Sequence, residues 1–194
     1  MPYYVLGNFL VYCVINAFTP GPGNILALNT VTNYGLKRGK ALFGGIFTGY
    51  YVVQFLCAVF TYGVSTFLPN VMAGMKYIGA VYIFWLAAHI ALSKLSEEND
   101  GRSASFMKGF MLQFINVKIY MFGITAITGF IAPYYAGFTA FLAAEFIIAT
   151  IGSIATGTWI VMGMFIQKLY MKHYRAVNIL LSLALGECIF SMLT

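Results

Sequence analysis

Apolar residues gather along this chain in six long blocks, at about 3–32, 41–67, 71–92, 109–132, 138–166 and 176–194, separated by short polar or basic stretches. Each block is near or above the roughly 20 residues that an α-helix needs to cross a hydrocarbon core, so six transmembrane helices are predicted. The first block is not continuous. Thr19-Pro20-Gly21-Pro22-Gly23-Asn24 sets two prolines and two glycines inside it, and such a run stops a helix because proline lacks the N–H donor and glycine carries the largest entropy cost. Within lipid, a backbone without partners is tolerated only where protein or a water-filled cavity covers it. A helix broken at membrane depth is therefore a candidate binding site. The fourth block carries a milder interruption at Asn116 and Lys118, which are polar without being helix breakers.

The polar stretch 93–108, with Glu97, Glu98, Asp100 and Arg102, reads as a linker between two halves at about 1–95 and 106–194. Each half holds three spans, an odd number, so the halves are inverted if they are structural repeats. The fold expected is an all-α integral membrane protein, one transmembrane domain over 1–194, built as two inverted three-helix repeats with helices 1 and 4 interrupted. Gly45 and Gly49 stand four apart in the second block, the spacing that lets membrane helices approach closely. Residues 33–40 and 167–175 read as basic loops. Pro69 and Asn70 read as a turn, as does 133–137, where Tyr134 and Tyr135 suit a membrane interface.

Composition agrees with this pattern. Of 194 residues, 61% are hydrophobic and 8% charged, against about 25% charged in soluble domains, and the mean hydropathy is +0.84. The net charge of +6 is read as retention of Lys and Arg in cytoplasmic loops, with no nucleic-acid partner implied. Lys37, Arg38, Lys40, Lys94, Arg102, Lys108, Lys168, Lys172 and Arg175 all fall after spans 1, 3 and 5, which places both termini on the periplasmic side. No Lys or Arg precedes the first apolar run and no small-residue cleavage site follows it, so a removed signal peptide is not expected. Cys13, Cys57 and Cys188 lie in apolar spans at unpatterned spacing, which suggests buried small hydrophobes and no metal site.

Few residues could carry chemistry. A half-helix beginning near Asn24 would present free N–H groups and a partial positive charge, which suits a substrate carboxylate. Lys118 stands nine residues beyond Gly109, about 14 Å up a straight helix. It either faces a cavity or partner near mid-membrane, or reaches the cytoplasmic interface if span 4 starts later. Glu145 and Glu187 are the carboxylates within spans. Glu145 is a candidate proton carrier or counter-ion to Lys118, with an interfacial position as the alternative; Glu187 is read as near the outer surface. His89 and His173 stand alone, and no cofactor is expected.

The run TPGPGNILALNTVTNYGLKRGKALFGG at 19–45 resembles the signature of the LysE/RhtB superfamily of bacterial amino-acid exporters. YIGAVYIFWLAAHIALS at 77–93 and LQFINVKIYMFGITAITGFIAP at 112–133 most resemble its cysteine/O-acetylserine exporter subgroup. The resemblance covers essentially the whole chain. It implies a proton-coupled secondary transporter in the bacterial inner membrane, exporting small neutral amino acids such as cysteine and O-acetylserine. Exporters of homoserine, threonine or another amino acid in the same superfamily are the alternative, ahead of a passive channel or a membrane-embedded enzyme. Three positions depart from many relatives: Gly23, where they have Asn or Asp; Val117, where they have proline; and Tyr50, where they have Asp. The last removes an acidic candidate for coupling and draws interest to Glu145. The expected substrate site comprises Thr19, Pro20, Gly21, Pro22, Gly23, Asn24, Asn29, Asn116 and Lys118. The partners expected are an amino-acid substrate and membrane lipid, and the sequence fixes no oligomeric state.

Overall fold

The structure, a computed structural model, describes residues 1–63, 77, 81, 84–85, 87–92 and 104–193, with the backbone alone at 167–171, 187–188 and 191–193. Most of the third span, the turn at Pro69 and Asn70, the acidic linker residues and the side chains of Cys188 and Glu187 lie outside the described residues. The described elements are α1 (Tyr3–Phe18), α2 (Pro22–Gly63), α3 (Phe106–Ile115), α4 (Val117–Ala126), a π-helical turn (Ile127–Ile131) and α5 (Phe138–Leu193).

The chain leaves helical geometry where its local chemistry demands it. α1 ends at Phe18 with Thr19 extended, and α2 opens on Pro22, a first-turn position where a missing N–H costs nothing. α2 is kinked at Gly35, whose φ of 75° is open to glycine at no steric cost. The basic loop expected at 33–40 is thus helix interrupted by one residue, because a left-handed glycine redirects the chain without a longer connection. The loop expected at 167–175 is likewise helical backbone, with a single non-helical residue at His173. The fourth block differs more. Asn116 (φ −79°, ψ 87°) breaks the helix outright, and the two sides are bent by 56°. The straight-helix depth expected for Lys118 therefore does not apply: α3 starts at Phe106, and Lys118 is the second residue of a new helix.

Among the described residues, Pro22–Gly63 and Phe138–Ile166 are each long and apolar enough to cross a membrane, and the bent run from Phe106 to Ile131 makes a third candidate. α1 is shorter, with 16 residues, about 24 Å at 1.5 Å per residue. Large apolar side chains crowd the outside of α1 (Leu10, Val11, Val14, Ile15) and α5 (Phe146, Ile147, Ile154, Phe165), a surface that suits lipid and not water.

Two apolar cores fill the interior. One holds Phe9, Cys13, Ala17, Tyr50, Val53, Phe122 and Ile148; the other holds Ile25, Leu28, Val31, Ile46, Leu112 and Ile160. Ala17 and Ile25 belong to different cores, so the break between α1 and α2 sits where the two meet. Cys13 and Cys57 are free and buried within the first core. α2 and α3 cross at very close range. A methyl group at Gly45 would strike the Phe106 carbonyl, one at Gly109 the Leu42 carbonyl, and one at Gly49 would come within 2.9 Å of the Phe110 carbonyl. The glycine pair expected to mediate close packing does so, with Gly109 answering from α3. This crossing carries Gln113 and the Asn116 break alongside the start of α2.

Candidate functional site

A helix ends with four carbonyls that lack intrahelical donors. At the end of α1, side chains from three other elements supply them. Asn24 of α2 donates its amide to Ala17 O (2.9 Å) and Thr19 O (3.3 Å), and its Oδ1 accepts from Thr156 Oγ1 of α5 (2.8 Å). Trp159 Nε1 donates to Phe18 O (3.3 Å). Lys118, at the start of α4, donates to Thr19 O (3.1 Å), Thr19 Oγ1 (2.8 Å) and Pro20 O (3.0 Å). The hydroxyl of Thr19 in turn donates a hydrogen bond to Asn16 O (2.9 Å). The two interruptions, 98 residues apart in sequence, are therefore joined directly, with a cation of one against the carbonyl end of the other.

Beside this junction lies a narrow cleft that is open to the outside. Gly21, Gly23 and Asn24 line one side; Gln113, Asn116 and Lys118 line another; Tyr50, Phe122 and Thr156 are also part of the lining. α2 begins here, and its first return hydrogen bond is Ile25 N–H to Gly21 O (2.9 Å), which leaves the N–H groups of the preceding turn at the cleft. Gln113 is clasped between two glycines: a methyl group at Gly23 would stand 3.0 Å from its Nε2, and one at Gly49 would stand 2.9 Å from its Cγ. Both amide atoms of Gln113 and the Oδ1 of Asn116 are buried without a hydrogen-bond partner among the described residues. Such groups are costly unless a ligand or water answers them.

Of the residues expected from the sequence, Gly21, Gly23, Asn24, Asn116 and Lys118 line the cleft. Thr19 and Pro20 stand behind it as acceptors for Lys118, and Pro22 is the buried first residue of α2. Asn29 lies farther along α2, where its carbonyl accepts from Thr32 and Asn33, and it does not line the cleft. Gln113 escapes the sequence pattern. Its signal was readable, since a carboxamide within an apolar span needs a partner.

Glu145 occupies a separate place. It is 1% exposed, on the inward face of α5 seven and eleven residues before Gly152 and Thr156, so about 16 Å along the helix from the Thr156 level. A methyl group at Gly123 would stand 2.8 Å from Gln54 Oε1 and 2.8 and 2.9 Å from the two Glu145 oxygens. Neither side chain's polar atoms have a hydrogen-bond partner among the described residues. Lys118 is engaged elsewhere, at Thr19 and Pro20, and among the described residues it makes no ion pair with Glu145. Gly152 packs on the Tyr50 ring, which also lines the cleft, so one face of α5 serves both places. Among the described residues no group of three or more His, Cys, Asp or Glu could hold a metal ion; His89 stacks on Trp85 with ring centroids 5.5 Å apart.

Comparison with known proteins bears on this arrangement. The family described as LysE type translocator matches residues 14–187. The cysteine/O-acetylserine efflux proteins of Escherichia coli (strain K12), Shigella sonnei (strain Ss046) and Shigella flexneri are each 34% identical over 185 residues, covering 95% of this chain and 95% of theirs. No solved structure matches the chain.

Proposed function

Because the chain belongs to the family of LysE type translocators, we propose that it is a secondary transporter exporting small neutral amino acids, cysteine and O-acetylserine foremost, from the bacterial cytoplasm. The observation that carries this reading is the cleft at the start of α2, where backbone N–H groups, the Lys118 ammonium, the unanswered carboxamide of Gln113 and the unanswered Oδ1 of Asn116 converge. A substrate carboxylate suits the N–H groups of Gly21, Gly23 and Asn24 and the cation of Lys118. Gln113 and Asn116 are the groups available to the polar part of the substrate. Asn24, whose amide and carbonyl are committed to Ala17, Thr19 and Thr156, holds the break together. The similarity to the efflux proteins supports the substrate class.

Coupling to protons is assigned to Glu145. Its carboxylate and the Gln54 carbonyl are both acceptors crowded against Gly123, and a proton on the carboxyl group gives it a donor toward that carbonyl. The chain is read as six spans in two inverted three-helix repeats, in the inner membrane with both termini periplasmic. The distribution of basic residues supports the orientation; the outright breaks at Thr19–Gly21 and at Asn116, at matching positions of the two halves, support the repeat.

The test is export itself. Overexpression in a producing strain is expected to raise extracellular cysteine or O-acetylserine; unchanged levels, with the protein present in the membrane, refute the substrate assignment.

A further inference from the structure

Lys118 presents a primary ammonium group, R–NH₃⁺, with three donors, and the end of α1 answers it with three oxygens: Thr19 O at 3.1 Å, Thr19 Oγ1 at 2.8 Å and Pro20 O at 3.0 Å. These oxygens sit at a helix C-terminus, where the aligned peptide dipoles place partial negative charge. The set is thus a built receptor for a primary ammonium, and the protein occupies it with its own. An amino acid carries the same group on its α-carbon. The cage also directly adjoins the N–H groups at the start of α2, since a methyl group at Gly21 would stand 3.2 Å from Lys118 Nζ.

We propose that the Thr19–Pro20 cage is the subsite for the substrate's α-ammonium group, and that Lys118 is a tethered stand-in that holds this subsite while it is empty. This rests on the reading of the chain as an amino-acid exporter. When a zwitterion arrives, its ammonium takes the three oxygens and the displaced Lys118 turns to its carboxylate, so each charge exchanges one partner for another. When the substrate leaves, Lys118 returns, and the carbonyls of the break are never left bare at membrane depth. The lysine therefore serves both states: counter-charge when loaded, plug when empty. An amine without a carboxylate gains less here, because it evicts Lys118 from these three oxygens and brings no carboxylate in exchange. That difference lets the device select zwitterions over simple amines.

The test uses purified full-length protein in detergent, with ethylammonium and tetramethylammonium as probes. Wild type is expected to bind ethylammonium only weakly. Lys118→Ala is expected to bind it about tenfold or more tighter than wild type does, a difference of about 1.4 kcal/mol. Adding Thr19→Val is expected to reverse the gain, tetramethylammonium, which has no N–H donor, is expected not to bind, and O-acetylserine is expected to displace ethylammonium competitively. A folded Lys118→Ala protein that gains no ethylammonium affinity, or that binds both ammonium ions alike, overturns the proposal, as does non-competitive binding of O-acetylserine. If Lys118→Ala does not stay folded alone, ethylammonium present during purification is expected to restore it; failure to do so also counts against the cage. Wild-type binding of O-acetylserine is read separately. Its absence sinks the substrate assignment, while the ethylammonium result still reports on the cage.

Discussion

The cleft at the start of α2 and the Glu145–Gln54 pair both place polar groups in an apolar interior, yet they solve the problem in opposite ways. In the cleft, the groups that hold the backbone together are engaged: Asn24 makes three hydrogen bonds and Lys118 donates to three oxygens of the break. The unanswered ones, on Gln113 and Asn116, belong to residues that line the cleft. At Glu145 the unanswered groups face each other across Gly123, and no cleft-lining residue belongs to the pair. An unpartnered group beside a cavity suits a ligand; an unpartnered carboxyl beside an acceptor suits a proton. Buried polarity with no partner thus has two meanings, and the space in front of it tells them apart.

Three substitutions would break or sharpen this contrast. The largest effect is expected from Glu145→Gln, which keeps the shape and removes the titratable group. Export against a gradient, driven by an imposed pH difference in proteoliposomes, should fall about tenfold or more, to the passive level, while substrate–substrate exchange persists. Undiminished uphill export would remove Glu145 from coupling. Next comes Asn24→Ala, which strips the staple from the end of α1. Unfolding in detergent should show a loss of about 2–4 kcal/mol, the sum expected for three buried hydrogen bonds and the groups left without partners; a loss under about 0.5 kcal/mol would mean that Lys118 and Trp159 suffice. The smallest effect is expected from replacing Glu145 and Gln54 together with leucine. With both orphaned groups gone, stability should stay within about 1 kcal/mol of wild type or rise. A loss as large as that at Asn24 would make the pair structural and erase the distinction.

The first interruption was legible because its chemistry is local: prolines and glycines cannot continue a helix in any context. The second was only half legible. Asn116 has no strong intrinsic reason to break a helix, and its outright break coincides with the glycine-lined crossing that holds α3 against α2. The depth of Lys118 could not be read off a straight helix for the same reason. The joining of Lys118 to Thr19 and Pro20 was not legible at all, since contacts between residues 98 and 99 apart depend on how the helices pack. Gly123 carried no signal either, although any side chain there would collide with Glu145 and Gln54.

By itself the sequence determined the membrane class, the place of the break at Thr19 to Asn24 and the glycine face of α2, because hydropathy, missing backbone donors and absent side chains act wherever the residue stands. Tertiary structure alone decided which carbonyls Lys118 and Asn24 satisfy, that Glu145 meets Gln54 over a glycine, and that the break between α1 and α2 lies where the two cores meet. Those are distances between segments far apart in the chain, and only the packed helices fix them.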